Sequence, residues 1–241
     1  MNTPQVLGLI PARAGSKGIA NKNMKTLDGK PLIQYTLEAA LTSDLLNVIT
    51  VSTDSPEIVK FVSQFPGIQA PFVRPIRIAG DTSPTISAVF HALQFYAERN
   101  IHFDYVVLLQ PTSPFRNEKL IDECIREIVA TDADSLVTVR QVPHRYNPDW
   151  TFSRNEQGIL TRPGNISEMI QRRQDLPAAF YRDGKVYVSK ASLIYSGTLL
   201  GGKIGSIVTA LEPDVNIDTI GDWDEAHKQM IRWKAGLRNP F

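Results

Sequence analysis

The feature that most constrains the fold of this chain is a repeated alternation. Short apolar runs are each closed by a polar loop and followed by an amphipathic stretch. Val6–Ile10, Val48–Val51, Ala70–Val73, Tyr105–Leu109 and Ser135–Val142 have the length and composition of buried strands. Leu32–Leu41, Glu57–Gln64, Thr85–Arg99 and Asn117–Ala130 lie between them with helical spacing of their apolar residues. Pro31 suits the first turn of a helix, and Ser55 before Pro56 predicts an N-cap followed by the first helical residue. Buried strands joined by helices predict an α/β fold: one doubly wound, mostly parallel sheet with right-handed crossovers. Such sheets bind ligands beyond the carboxyl ends of their strands. The polar loops at 12–23, 52–55, 74–85 and 110–116 all follow strands, so they are expected along one edge.

The first of these loops carries the chemistry. Leu9 to Asn23 reads LIPARAGSKGIANKN and combines Gly15 and Gly18 with the hydroxyl of Ser16 and the cations Arg13, Lys17 and Lys22. Glycine lets backbone N–H groups approach an anion closely, and clustered cations suit a polyphosphate. The loop is not a Walker loop, since no Gly-Lys-Ser/Thr stands at the required spacing, and Gly15 and Gly18 alone do not make the three-glycine dinucleotide fingerprint. Taken alone it could be a solvated surface turn. Its place before a helix, with other polar loops on the same edge, favours a nucleoside triphosphate site.

Bulk properties narrow the partners. The 241 residues suit one large α/β domain, and the formal net charge of +1 argues against a nucleic-acid-binding protein. Cys124 lies in a helical pattern and is expected to be a buried structural thiol. As the single cysteine it offers no intrachain disulfide, which suits a reducing compartment. No signal peptide and no membrane-spanning run are visible, so a cytoplasmic location and no membrane partner are expected. From about Pro143 to Gly184 the alternation gives way to prolines and turn residues. This segment is expected to form an inserted arm of hairpins and loops. Lys185–Ser189 and Gly205–Leu211 resemble returning strands, and Thr219–Trp233 closes the pattern as an amphipathic helix.

Seven stretches, in order along the chain, resemble the N-acylneuraminate cytidylyltransferases, or CMP-sialic acid synthetases. They are IPARAGSKGIANKN (10–23), VSTDS (51–55), RP with DTSPT (74–75 and 81–85), LLQPTSPFR (108–116), RRQDLP (172–177), DGKVYV (183–188) and NIDTIGDWDEA (216–226). The resemblance implies a Rossmann-like nucleotidyltransferase that transfers CMP from CTP to a nine-carbon 2-keto-3-deoxy sugar acid. Pyrophosphate is released, Mg²⁺ is used, and a homodimer forms through the 143–184 arm. Attack by the anomeric hydroxyl at the α-phosphorus depends on positioning and charge neutralisation, not on a protein nucleophile. A nucleotidyltransferase acting on a sugar phosphate and a non-catalytic nucleotide-binding relative are the alternatives.

Carried over position by position, the resemblance places Arg13, Gly15, Ser16, Lys17, Lys22 and Asn23 around the CTP phosphates and ribose. It places Arg74 near the cytosine and Thr85 as a hydroxyl facing the nucleotide, with helix capping the other reading of Thr85. Gln110, Arg173, Asp183 and Tyr187 are the expected sugar-acid contacts; for Tyr187 the core is the other reading. Two departures stand out. The metal pair, Asp-x-Asp in the family, is Asn216-Ile217-Asp218 here. Asp218 remains a hard ligand, while Asn216 offers only a neutral carbonyl oxygen, which predicts weaker Mg²⁺ binding unless Asp214 compensates. The second departure is Asp183 where relatives carry Asn before the glycine, which leaves neuraminate, legionaminate, pseudaminate and deaminated relatives all open as the acceptor.

Overall fold

The computed structural model describes residues 3–117, 119–162, 170–209 and 212–235. Its organising element is a seven-stranded sheet in the order β11-β7-β10-β6-β1-β4-β5. The strands are β1 (Val6–Pro11), β4 (Val48–Ser52), β5 (Ile68–Gln69), β6 (Tyr105–Leu108), β7 (Ser135–Gln141), β10 (Phe180–Lys190) and β11 (Ile204–Val208). All pairings are parallel except those of β10, which runs antiparallel to both β6 and β7.

The chain builds outward from β1 to β4 and β5, then returns to place β6 on the other side of β1. This reversal makes the carboxyl ends of β1 and β6 a topological switch point, where the loops diverge and leave a crevice.

Alternation along the strands fills both faces. Val6 and Ile10 pack with Ile33, Leu37, Ile58 and Ile125, on the side of helices α1 (Leu32–Leu41), α2 (Pro56–Val62) and α4 (Leu120–Thr131). Leu7 and Leu9 point the other way, toward Val89, Leu93 and Tyr96 of α3 (Thr85–Ala97) and Ile194 of α5 (Ala191–Tyr195). These residues are fully or nearly fully buried, each such side chain stabilising the fold by roughly 1.5–3 kcal/mol. A third apolar cluster joins Ile19 and Leu27 to Ile217, Trp223 and Met230, so that α6 (Ile220–Lys234) clamps the first loop to the 215–218 segment.

Several expectations hold and several shift. Ser55 caps α2, its hydroxyl accepting from the Ile58 N–H at 3.3 Å, with Pro56 at the first position. Cys124 is buried, and burial pushes its thiol well above the ordinary range. The third strand lies at Ile68–Gln69, earlier than expected; of the Ala70–Val73 run only Val73 pairs, in a single bridge with Thr53. The last returning strand falls earlier too, ending at Val208, and residues 210–211 of the expected run lie outside the described residues.

A small hairpin precedes α1, formed by β2 (Thr26–Leu27) and β3 (Lys30–Pro31). Its turn is Asp28-Gly29, both with positive φ (48° and 87°), the geometry of a tight hairpin turn. The first loop therefore does not enter α1 directly.

The arm is shorter than expected, because β10 begins at Phe180. Three short 3₁₀ turns and the hairpin β8 (Ser153–Arg154) with β9 (Leu160–Thr161) make up its described part; 163–169 lie outside it.

Candidate active site

The switch point holds a cavity of about 500 Å³. Three of the four loops expected along this edge line it. Arg13, Ser16, Lys17, Lys22 and Asn23 come from the loop after β1, and Arg74, Ile78, Asp81 and Ser83 from the loop before α3. Gln110, Pro111 and Thr112 follow β6. Thr85 and Ala88 of α3 and the pair Asn216 and Asp218 complete it. The 52–55 loop contributes from behind, as a brace.

That brace shapes the first loop. Ala12 N–H bonds to the Ser52 carbonyl at 2.9 Å, and Ala14 N–H to the Asp54 carboxylate at 2.8 Å. Asn23 closes the loop from the other side, its amide donating to the Arg13 carbonyl at 3.0 Å. Gly18, which lines the cavity, sits where a Cβ would lie 1.9 Å from the Asp218 carbonyl oxygen, so only glycine fits. Gly15 is exposed, does not line the cavity, and has open space where a Cβ would go.

Each cation of the loop has an acidic partner. Arg13 is ion-paired with Asp81, and Lys17 lies 3.7 Å from the same carboxylate. Lys22 is nearly buried, with Nζ 2.6 Å from the Ile217 carbonyl and 3.0 Å from Asp218 Oδ1.

Arg74 reaches the cavity from the loop before α3. It is buried, its Nε donates to Ser52 Oγ at 3.0 Å, and its Nη2 bonds to the Ser52 carbonyl. Burial lowers its pKa to about 10. Thr85 opens α3, where no side-chain capping bond is made, so capping does not occupy its hydroxyl.

Asn216 and Asp218 share one face, as their i, i+2 spacing requires. The Asn216 amide donates to Asp218 Oδ2 at 2.7 Å, and its Oδ1 lies 3.4 Å from Ser113 Oγ. Among the described residues no cluster of three or more His, Cys, Asp or Glu side chains is arranged to hold a metal. One carboxylate and one amide carbonyl form a small set of hard oxygen donors. That set fits a divalent cation that takes its remaining ligands from phosphate and water.

Asp222 orients this pair from outside the cavity. Its Oδ2 accepts from the Asp218 N–H at 3.0 Å and the Thr219 N–H at 2.7 Å, completing a capping box at the start of α6. Partial burial pulls the Asp222 carboxyl up, but these N–H bonds and the Thr219 hydroxyl together hold it below its ordinary range.

Four expected contacts lie elsewhere. Asp183 does not face the cavity: its side chain is fully buried, 2.8 Å from Lys185 Nζ, and accepts from Thr138 at 2.5 Å and from Thr209. Burial alone would raise its carboxyl, but Lys185 and the two hydroxyls hold it below the usual carboxylate range. Tyr187, facing opposite to Val186 and Val188 on β10, packs against the α3-side core, and burial raises its phenol. Arg173 lines a separate small hollow on the arm with Gln141, His144 and Asn147. Asp214 accepts from Tyr181 and sits near Arg140, so it does not stand in for the missing second carboxylate.

Arg116 supports the site from outside the cavity lining. It is buried, and its guanidinium bonds to the carbonyls of Lys185 and Gln110 at 2.7 and 2.6 Å and to Thr36 Oγ1 at 2.9 Å. Burial lowers its pKa to about 9, with Asp183 opposing the shift. It thereby ties the backbone of Gln110, on the cavity wall, to the Asp183–Lys185 pair. Asp54, Asp81 and Arg116 were not among the expected site residues, and single-residue context does not reveal partners so distant along the chain. Thr219-x-x-Asp222, by contrast, has the spacing of a capping box in plain view.

A family model described as cytidylyltransferase matches residues 7–194. A CMP-N,N'-diacetyllegionaminic acid synthase of Legionella pneumophila is 34% identical over 228 residues, covering 94% of this chain and 96% of that protein. The N-acylneuraminate cytidylyltransferase A of Danio rerio is 31% identical over 95% of this chain, which spans 51% of that longer protein. A pseudaminic acid cytidylyltransferase of Campylobacter jejuni is 30% identical over 78% of this chain and 80% of its own length. Among solved structures, a CMP:2-keto-3-deoxy-manno-octonic acid synthetase superposes with a TM-score of 0.70 at 16% identity, covering 95% of this chain and 99% of that one, a likeness of fold. The matched family model spans most of the sheet and the braced, cation-bearing loop at its switch point: the chain belongs to the cytidylyltransferase family.

Proposed function

We propose that this chain transfers CMP from CTP to the anomeric hydroxyl of a nine-carbon 2-keto-3-deoxy sugar acid, releasing pyrophosphate. The observation that carries the proposal is the convergence of Arg13, Lys17, Lys22 and the buried Arg74 on one cavity that Gln110 also lines. Arg13 and Lys17 hold the departing phosphates, and Lys22 sits beside Asp218, where phosphate and metal meet. In the reaction, the anomeric hydroxyl gives up its proton to solvent as its oxygen bonds to the α-phosphorus, and the bond from that phosphorus to the bridging oxygen breaks. Charge accumulates on the leaving pyrophosphate, and fixed cations stabilise it there. Arg74, held by Ser52, presents the remaining edge of its guanidinium to the base, and Gln110 offers an amide to the sugar acid. Mg²⁺, when bound by Asp218 and Asn216, supplies further neutralisation of phosphate charge.

Arg173 and the arm belong to a second part of the proposal. Tyr146, Phe152, Ile159, Leu160, Phe180 and Tyr181 are 38–61% exposed on and beside the arm, more apolar surface than one extended segment ordinarily leaves in water. A homodimer formed through this surface covers it and gives Arg173 a route to the partner's cavity. Such a dimer, working in the cytoplasm, is the form in which we expect the enzyme to act. The proposed legionaminate-, neuraminate- or pseudaminate-like acceptor follows the relatives' names. Asp183, being buried, does not choose among the three.

The test is a matrix. CTP, UTP, GTP and ATP are each combined with Mg²⁺ and either free nonulosonic acids or sugar 1-phosphates, and pyrophosphate is measured. Release with CTP and a free acid alone is expected; release with a sugar phosphate, or with no pair while CTP still binds, contradicts the proposal.

A further inference from the structure

The two outermost cations of the loop share one partner. Asp81 is ion-paired with Arg13 and lies 3.7 Å from Lys17, and all three side chains border the cavity. Among the described residues, these two cations are the partners of its carboxylate. Asp81 stands on a polar turn, Gly80-Asp81-Thr82-Ser83, closed by one backbone bond of 3.1 Å from Ser83 N–H to the Gly80 carbonyl. The turn joins the short 3₁₀ segment Ile76–Ile78 to α3, with the Ser83 hydroxyl 3.5 Å from the Arg77 carbonyl. The Asp81 and Arg13 side chains remain 35% and 28% exposed, so water can solvate either once the pair opens.

We propose that Asp81 is an internal stand-in for phosphate. It neutralises Arg13 and Lys17 while the cavity is free and is displaced when a polyphosphate enters. This rests on the reading of the loop as the CTP phosphate cradle. A carboxylate and a phosphate oxygen compete for the same guanidinium edge, and both use its planar fork. Because the pair is partly solvated, opening it costs little, and a ligand carrying several charges outcompetes a single carboxylate. The same contact works in reverse after the reaction. As pyrophosphate loosens, Asp81 returns to Arg13 and Lys17 and lowers the affinity of the loop for the product. Asp81 thereby tunes affinity for the triphosphate and its leaving group, while cytidine recognition stays with Arg74.

The test titrates inorganic pyrophosphate, and separately CTP, into the full-length protein without acceptor, comparing wild type with Asp81→Asn and Asp81→Glu by calorimetry. Asp81→Asn is expected to bind both ligands about 1.5- to fivefold tighter, the range expected for an exposed ion pair that no longer has to be broken. Asp81→Glu, which keeps the charge, stays close to wild type, and the gain in Asp81→Asn shrinks as salt rises. Unchanged or weaker pyrophosphate binding by Asp81→Asn, in a protein with a wild-type unfolding midpoint, overturns the proposal. Failure of wild type itself to bind CTP or pyrophosphate overturns the cradle reading along with it, which separates the two failures.

Discussion

Two Lys–Asp pairs with nearly the same geometry sit at different depths of this molecule. At the cavity, Lys22 Nζ lies 3.0 Å from Asp218, whose side chain is 62% exposed. Beneath it, Lys185 Nζ lies 2.8 Å from Asp183, and both side chains are at most 1% exposed. The outer pair is open to water on the carboxylate side, so phosphate or a metal can replace either partner at small cost. The inner pair is enclosed: Asp183 accepts from Thr138 and Thr209, and Lys185 also lies 3.2 Å from Thr209 Oγ1. Removing one member strands a charge that water cannot reach. The same two residue types thus make an exchangeable contact at one depth and a strut at the other.

The largest effect is therefore expected at the strut. Asp183→Ala should cost about 3–5 kcal/mol of stability in urea unfolding, because Lys185 is left buried without its counter-ion. Asp183→Asn should cost less. The sign of the pH dependence follows from the depressed Asp183 carboxyl. Its stabilisation is fully present above the unfolded value of about 4 and is lost as pH falls through the lower folded value. The stability gap between wild type and Asp183→Asn should therefore narrow in acid.

Next in size is Arg13→Ala, which removes an exchangeable cation. Turnover should fall about 10²–10³-fold, in line with loss of one electrostatic stabiliser of the transition state, with little change in unfolding midpoint. If the midpoint collapses instead, the rim is as structural as the interior and the contrast fails.

A third test compares two glycines of one loop. Gly18→Ala forces a Cβ onto the Asp218 carbonyl and should cost about 1–3 kcal/mol together with most of the turnover, while Gly15→Ala should be close to neutral in stability. Equal effects at both would show that the loop does not dock on Asp218.

The smallest effect is expected at Asn216→Asp. It restores a second carboxylate to the rim, so the Mg²⁺ concentration for half-maximal turnover should fall severalfold. An unchanged dependence removes Asn216 from the metal site.

How much of this was legible in the sequence follows from the range of each interaction. Ser55-Pro56, the apolar β1 run and the loop it feeds are local patterns, and each lies where its neighbours along the chain put it. Arg13, Ser16, Lys17, Lys22, Asn23, Arg74, Thr85, Gln110, Asn216 and Asp218 all reach the cavity because the switch point gathers the ends of separate strands. Asp183 escaped because two of its partners are far along the chain, Thr138 on β7 and Thr209 just beyond β11. No pattern within DGKVYV says which way the carboxylate points. The Asp28-Gly29 turn was visible as a dipeptide, but its strands are only two residues long, too short for any alternation to register. Arg173 is a different case. Its place on the arm leaves its role dependent on what the arm meets.

The most direct test of the central claim follows the phosphorus atoms themselves. ³¹P NMR of the enzyme with CTP, Mg²⁺ and a free nonulosonic acid should show the triphosphate resonances replaced by equal amounts of pyrophosphate and a new phosphodiester. Arg13→Ala, still folded, should slow that conversion about 10²–10³-fold. Appearance of CMP and pyrophosphate without the phosphodiester, or equal rates in wild type and Arg13→Ala, would contradict the account.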